Sequence, residues 1–395
     1  MTLQEQNFIA LLGYGIGAVE SFHIEDPSYP EILTLAELHG VTGFLYPPLK
    51  KVLPFGDPVL SELKKQSFSS ATRDSLRERE LTQIYSACTR EQIPVLPLKG
   101  SVIKALYPHP ELRHMSDADL LIREEDGDKM RTLMESLGHT FHKVDAGDTD
   151  VFVSPVGLNY EIHRGLAGEG FSAESRSFAS GLLEYSRPKA EGSYLMELPW
   201  EEHYIYILCH FIKHFIYGGV GVRQLCDLYI CYTKWDMAPA RVDVLLDELG
   251  LKDFHAILKA LWEHWFRGGD GSALLEELGT YILHSGVFGN EEQRATDRLL
   301  AGGSDRSYVL ARLFPPYQTM KAYFPVLKKL PVLLPAMWGW RAVRAVLFRR
   351  KKLAIELNAY SSTDKDVLDN RRDFYRQCGL SVYQDKSYIT KEIEQ

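Results

Sequence analysis

Between residues 93 and 163 the sequence abandons the helical spacing that precedes and follows it, and this interruption constrains the fold more than any other feature. Upstream, Leu33 to Gly40 ends in a glycine stop, and Ser67 to Cys88 spaces its apolar positions among charges such as Arg73, Arg77 and Glu80, as helices do. Ile93-Pro94-Val95-Leu96-Pro97-Leu98 is then short, apolar and proline-bearing, which suits a strand. Asp117 to Ile122 is a second strand, and Glu124 to Leu137 a helix stopped by Gly138. Thr140 to His163 breaks at Gly147-Asp148 and Pro155-Val156-Gly157 into three stretches, the pattern of a β-meander. Helical spacing returns at Pro199-Trp200-Glu201-Glu202, with proline in the first turn and acids at the positive end of the helix dipole. That helix runs to Tyr217, stops at Gly218-Gly219, and is followed by another from Val222 and by more to about Phe314. The expectation is an α+β protein with a small mixed sheet between N- and C-terminal helical regions, divided at 1–85, 86–198, 199–320 and 321–395.

With 395 residues, 45% hydrophobic and 25% charged, the chain can bury a sizeable core, and a disordered or fibrous class is excluded. A formal charge of −8 gives no general attraction to nucleic acid, so any polyanion site has to be local. The first residues lack the basic start and apolar core of a signal peptide. The longest apolar run, Leu330 to Trp340, spans 11 residues and holds two prolines, short of the ~20 that cross a bilayer. Five scattered cysteines without a CxxC pair fit a reduced, cytoplasmic protein.

The chemistry concentrates where strands meet turns. In Val95-Leu96-Pro97-Leu98-Lys99-Gly100-Ser101-Val102 a strand ends at Gly100-Ser101 and a helix begins. Glycine permits close backbone approach, and the Ser101 hydroxyl with free helical N–H groups suits a phosphate, although a plain strand-to-helix turn carries the same letters. Asp117 and Asp119, at i and i+2 on a strand, project to one face. Adjacent carboxylates repel and raise each other's pKa, so the pair expects a cation between them, or else a solvated strand end. Hard oxygen ligands suit Mg²⁺ or Mn²⁺. Glu161, between apolar Tyr160 and Ile162, offers a third carboxylate.

As a set, these residues resemble the DNA-polymerase-β-like nucleotidyltransferase superfamily, and within it the bacterial uncharacterised nucleotidyltransferase family. The likeness rests on Leu98-Lys99-Gly100-Ser101, on Arg113-His114-Met115-Ser116-Asp117-Ala118-Asp119-Leu120-Leu121, on Glu161-Ile162-His163, and on His210-Phe211-Ile212-Lys213-His214 with Arg223 and Asp227 downstream. It implies a nucleotidyltransferase core at 86–198 and Mg²⁺- or Mn²⁺-dependent transfer of a nucleoside monophosphate group, AMP from ATP, to a hydroxyl or phosphate acceptor. Two cations ~3.5–4 Å apart would be held by Asp117, Asp119 and Glu161. Lys99, Gly100, Ser101, Arg113, His210, His214 and Arg223 would bind the nucleotide. The acceptor is open between a small molecule, a peptide, a protein and an RNA end. A related phosphoryl transferase and a catalytically silent nucleotide-binding scaffold are the alternatives. Repulsion between the acids further predicts that Asp119→Asn leaves the fold unharmed or firmer.

Other features have a bland and a sharp reading. His203, His210 and His214 fall within about 40° of one another on a helix, as a pocket lining or as packed histidines. Arg223 and Asp227, four apart, make an intrahelical ion pair or a phosphate contact oriented by Asp227. Gly13-Tyr14-Gly15-Ile16-Gly17-Ala18 spells a dinucleotide fingerprint without the preceding strand it needs. Residues 321–352 hold nine Lys/Arg and no acid, among Trp338, Trp340 and Phe348, suiting an anionic partner or a solvated face on packed tryptophans. The last forty or so residues read as a frayed polar tail.

Overall fold

Thr2 begins the first helix with a reciprocal cap, its side chain accepting from the Glu5 N–H while the Glu5 carboxylate accepts from the Thr2 N–H. The computed structural model describes residues 1–145, 148–166 and 171–287, scattered positions from 289 to 320, and residues 324–348 and 365–380. Four helices come first: α1 (Leu3–Gly15), α2 (Tyr29–Leu38), α3 (Thr42–Val52) and the 33-residue α4 (Pro58–Arg90), whose N-cap Asp57 precedes a proline. Gly13 and Gly15 lie inside α1, where a Cβ on Gly15 would strike the Phe44 carbonyl of α3. The fingerprint letters therefore serve helix packing.

The sheet follows. Strand β1 (Leu96–Pro97), the one-turn helix α5 (Gly100–Ile103), β2 (Asp117–Leu121), α6 (Gly127–Ser136), β3 (Thr140–Asp145), β4 (Thr149–Val153) and β5 (Asn159–His163) form a five-stranded sheet of order β1-β2-β5-β4-β3. β3, β4 and β5 make the expected antiparallel meander, and β5 returns to lie parallel to β2, so the sheet is mixed. Alternation sorts its two faces. Ala118, Leu120, Phe152, Tyr160 and Ile162 join Ile84 and Cys88 of α4 and Met130 and Met134 of α6 in one core. The other face carries Asp117, Asp119, Glu161 and His163.

Short helices α7 (Ala173–Ser180) and α8 (Leu182–Tyr185) and the hairpin β6 (Arg187–Pro188) with β7 (Met196–Glu197) lead to α9 (Trp200–Ile216), α10 (Val222–Lys234), α11 (Pro239–Glu248), α12 (Lys252–Arg267) and α13 (Ala273–Ser285). Two units emerge: 1–213 with 220–287, and 214–219 with 288–395. All five cysteines are buried and none forms a disulfide.

In the second unit, α14 (Leu334–Phe348) and α15 (Lys365–Gln377) are described. The tail expected to fray instead contains α15, and Phe374, Tyr375, Cys378 and Leu380 are buried, with the Tyr375 hydroxyl donating to Asp297 at 2.7 Å. Apolar positions spaced along a charged helix give it a face to bury. In the basic segment Trp338 packs on Phe314 and donates to the Pro315 carbonyl, whereas Trp340 is exposed. Residues 321–323 and 349–352 lie outside the described set. Among the described residues no helix is long and apolar enough to cross a membrane.

Candidate active site

The site is assembled by strand register. On β2 and β5, Asp119 pairs directly with Glu161, and Asp117 with Asn159. β1 delivers the turn: the Leu98 N–H donates to the Asp119 carbonyl, and the chain then bends sharply at Lys99, with φ 50° and ψ −126°. That conformation belongs to glycine; a lysine there carries backbone strain of about 1–3 kcal/mol, which persists where surrounding structure fixes it. What fixes it is the side chain, whose Nζ lies 2.7 Å from Asp119 Oδ1.

His163 takes the same carboxylate, with Nε2 2.9 Å from Asp119 Oδ1 and Nδ1 2.9 Å from the Thr149 hydroxyl of β4. A carboxylate only accepts, so Nε2 carries a proton. Burial alone would raise the Asp119 carboxyl, but Lys99 and His163 outweigh it and hold it below the usual carboxylate range. Lys99 is likewise raised by Asp119 against the pull of burial. Glu161 shifts the other way, raised by burial and by Asp119 and Asp117. The repulsion expected within the Asp117–Asp119 pair is thus cancelled at Asp119 by a cation of the chain itself. Asp119, Glu161 and His163 bring one ligand atom each within 4.8 Å of one another, whereas Asp117 stands outside that cluster.

Gly100 opens α5, and a Cβ there would meet Arg113 Nη1 at 2.6 Å and Met115 Cε at 3.2 Å. The turn is lined by a guanidinium, and only glycine lets the backbone approach it. The free helical N–H groups expected here are largely spent: Ser101 donates to the Leu98 carbonyl, and Val102 and Ile103 to that of Lys99. The Ser101 hydroxyl, by contrast, is buried with no partner among the described residues.

Two arginines have partners the spacing did not indicate. Arg113 forks onto Asp227, Nε to Oδ1 at 3.0 Å and Nη2 to Oδ2 at 2.6 Å, and Tyr107 donates to the same carboxylate at 2.8 Å. Because Asp227 is occupied this way, the expected intrahelical pair with Arg223 does not form; Arg223 Nη1 reaches the His114 carbonyl at 3.4 Å. A long-range bidentate bond displaces an i,i+4 pair that is worth only a few tenths of a kcal/mol.

The histidine stripe of α9 divides. His203 is buried against Trp235, itself stacked on Trp200, and burial pushes its imidazole down to about 3. His210 lies beside Tyr206, 6.3 Å between ring centroids, and His214 falls in the second unit. Tyr206 is buried and its phenol feels Lys99, Asp119 and Glu161, while burial raises it to about 12. Neither His163 nor Tyr206 stood among the expected site residues. His163 had a signal, since Glu161 and His163 at i and i+2 share a strand face; Tyr206 had none beyond its helix.

The comparisons were made with this geometry in hand. A family model described as uncharacterised nucleotidyltransferase matches residues 26–267. No curated protein matches. Among solved structures, the solution structure of the antibiotic-resistance factor ANT(2'')-Ia is similar, with 16% identity over 48% of this chain and 97% of that one, and a TM-score of 0.32.

Proposed function

The chain belongs to the uncharacterised nucleotidyltransferase family, whose model covers well over half of it, and is thus a transferase; we propose that it moves a nucleoside monophosphate group, AMP from ATP, onto a hydroxyl or phosphate acceptor. The observation that carries this reading is the in-register meeting of Asp119 and Glu161 with His163 and Lys99 on one face of the sheet.

The donor set fits a divalent cation: the carboxylates of Asp119 and Glu161, with ligand atoms within 4.8 Å of each other, suit Mg²⁺ or Mn²⁺. In this reading Asp119 and Glu161 hold the ion, with Asp117 beside them as the further carboxylate, while His163 donates to Asp119 and orients it. When bound, such an ion neutralises phosphate charge and lowers the pKa of an attacking hydroxyl. The remaining work falls to the chain's own groups. Glu161, with a raised affinity for protons, takes the proton of the acceptor hydroxyl, whose oxygen bonds the α-phosphorus of ATP as the bond to the departing pyrophosphate breaks. The buried Ser101 hydroxyl, unpartnered among the described residues, donates to a phosphate oxygen. Lys99 holds Asp119 ionised and in place, and meets phosphate charge as it arrives.

A silent scaffold is disfavoured by cost, because a buried cluster of charged groups is expensive to keep and stabilises poorly compared with apolar packing. The test is product mass spectrometry after incubating a lysate with labelled ATP, Mg²⁺ and either the wild-type chain or Asp119→Asn. Label transferred to an acceptor by the wild type alone supports the proposal; identical products from both overturn it. Thermal unfolding adds a binding readout. A bound triphosphate at a hundredfold excess over Kd stabilises by about 2.7 kcal/mol, and the shift should require the metal.

A further inference from the structure

The second unit leaves apolar surface open where its sequence is most basic. At 100° per residue, helix α14 separates into two sides. On one, Trp338 meets Phe314 edge-on at 5.3 Å and donates to the Pro315 carbonyl, and Leu334 is half-buried. On the other, Ala336, Gly339, Trp340 and Val343 fall within about 100° of arc. All four are exposed, Trp340 by 57% and Val343 by 49%. A Cβ built on Gly339 would stand in open space. The tight helical turn Pro331–Leu333 that leads into α14, with Leu330 before it, extends the apolar surface: Leu330 is 51% exposed and Val332 80%. A helix apolar on opposite sides belongs in an interior, yet the outer side of α14 stays open.

The charge along this stretch has one sign. Residues 321–352 carry nine Lys/Arg and no Asp or Glu, in a chain whose formal charge is −8. Arg344 is exposed at the edge of the apolar face, Lys329 is exposed just before the turn, and Arg349-Arg350-Lys351-Lys352 follow the helix directly in sequence. Cations flanking aliphatic and indole side chains are complementary to an anionic lipid surface. Apolar groups enter the boundary between headgroups and acyl chains, an indole sits at headgroup depth, and cations meet lipid phosphates. Single-stranded RNA suits the face less, because it stacks its bases on aromatic rings, and of Leu330, Val332, Trp340 and Val343 only Trp340 is a ring. At 15 residues α14 falls short of the ~20 that cross a bilayer, so it would lie on the membrane and not span it. We propose that α14 and the turn before it dock the second unit on an anionic membrane surface. Trp340 and Val343 enter the lipid, Leu330 and Val332 join them from the turn, and Arg344 with the basic residues of the segment supplies the charge. The assignment is independent of the transfer reaction.

Vesicle flotation of the full chain tests this, with phosphatidylcholine mixed equally with phosphatidylglycerol against phosphatidylcholine alone. The mixed vesicles should carry the wild type, less so as salt is added, and the neutral vesicles should carry far less of it. Trp340→Ser should weaken binding to the mixed vesicles about tenfold, and Arg344→Gln about fivefold. Val332→Ser, at the most exposed of these side chains, should weaken it by a smaller factor. Should Trp340→Ser unfold, Arg344→Gln and Val332→Ser decide. No binding of the wild type to the mixed vesicles, or binding that none of the folded variants changes, overturns the surface. Equal binding to both kinds of vesicle overturns the part given to charge. Binding of single-stranded polyuridine that Arg344→Gln weakens, with no vesicle binding, makes the segment a nucleic-acid contact and overturns the lipid assignment. None of these readouts involves turnover, so failure of the transfer reading leaves the test intact.

Discussion

The sheet and the helical layer bury titratable groups in opposite ways. Around β2 a carboxylate enters charged and is matched, Asp119 against Lys99, with His163 donating to it. In the helices the buried histidines enter neutral. His39 accepts the Val222 N–H at Nδ1 and donates from Nε2 to the Leu283 carbonyl, and burial sets it at about 4. His255 bonds the Tyr204 hydroxyl at 2.8 Å and is pushed down to about 4, and His203 to about 3, both by burial. Neutral imidazoles fit a packed interior cheaply, whereas charge in the interior demands a partner. The difference marks where the chain accepts a cost for chemistry.

The largest test of this contrast is Asp119→Asn. Turnover should fall by about a thousandfold or more, and stability by about 3–5 kcal/mol, because the Lys99 ammonium is left buried and unmatched. That reverses the outcome expected from repulsion between two acids. Denaturant unfolding and the labelled-ATP assay measure both, and a variant as stable as the wild type would show that Lys99 does not depend on Asp119.

Acid comes next. With folded-state values near 3–4 against ~6.5 unfolded, a buried histidine leaves the unfolded chain binding more protons as pH drops, so stability is lost as pH falls from ~6.5 toward 4. Glu161, raised by burial, slopes the other way, so the clean measurement is a difference. His203→Phe should flatten the acid slope relative to wild type by on the order of 3 kcal/mol across that window. An unchanged slope would mean that His203 is solvated.

A smaller effect isolates the backbone. Lys99→Gly and Lys99→Ala both lose the ion pair, but only glycine tolerates φ 50° without strain. The glycine variant should therefore be the more stable by about 1–2 kcal/mol in urea unfolding. Equal midpoints would show that the turn relaxes when the lysine leaves. Asp117→Asn should move stability least, by less than about 1 kcal/mol, since Asp117 carries no ion pair among the described residues. If it costs as much as Asp119→Asn, the two carboxylates are not the different groups described here.

Much of the frame was legible because its signals are local. Gly147-Asp148 and Pro155-Val156-Gly157 punctuate the meander, Gly138 and Gly218 end helices at positive φ, and i,i+2 spacing puts both aspartates on one face. What was not legible is long-range choice. Arg113 reads as a phosphate contact until Asp227, 114 residues later, claims it. Arg223 and Asp227 read as a pair until that claim breaks them. Lys99 could be placed at the turn, but nothing local shows that its ammonium would settle on a carboxylate of the next strand. The stretch at 365–377 misled through composition, since a helix as polar as α15 hides its buried Phe374 and Tyr375 among charges.

The pairing of β2 with β5 has a consequence for the chain as it is being made. A ribosome releases Asp117 and Asp119 some forty residues before Glu161 and His163, with β3 and β4 emerging in between. Arg113 waits longer still, since Asp227 lies beyond three more helices, α7, α8 and α9. At ≈ 5–20 residues per second, the nascent chain spends seconds with Lys99 and Asp119 made and Glu161 and His163 still to come. Lys99 is thus the partner that the Asp119 carboxylate can meet while the sheet is still open to β5.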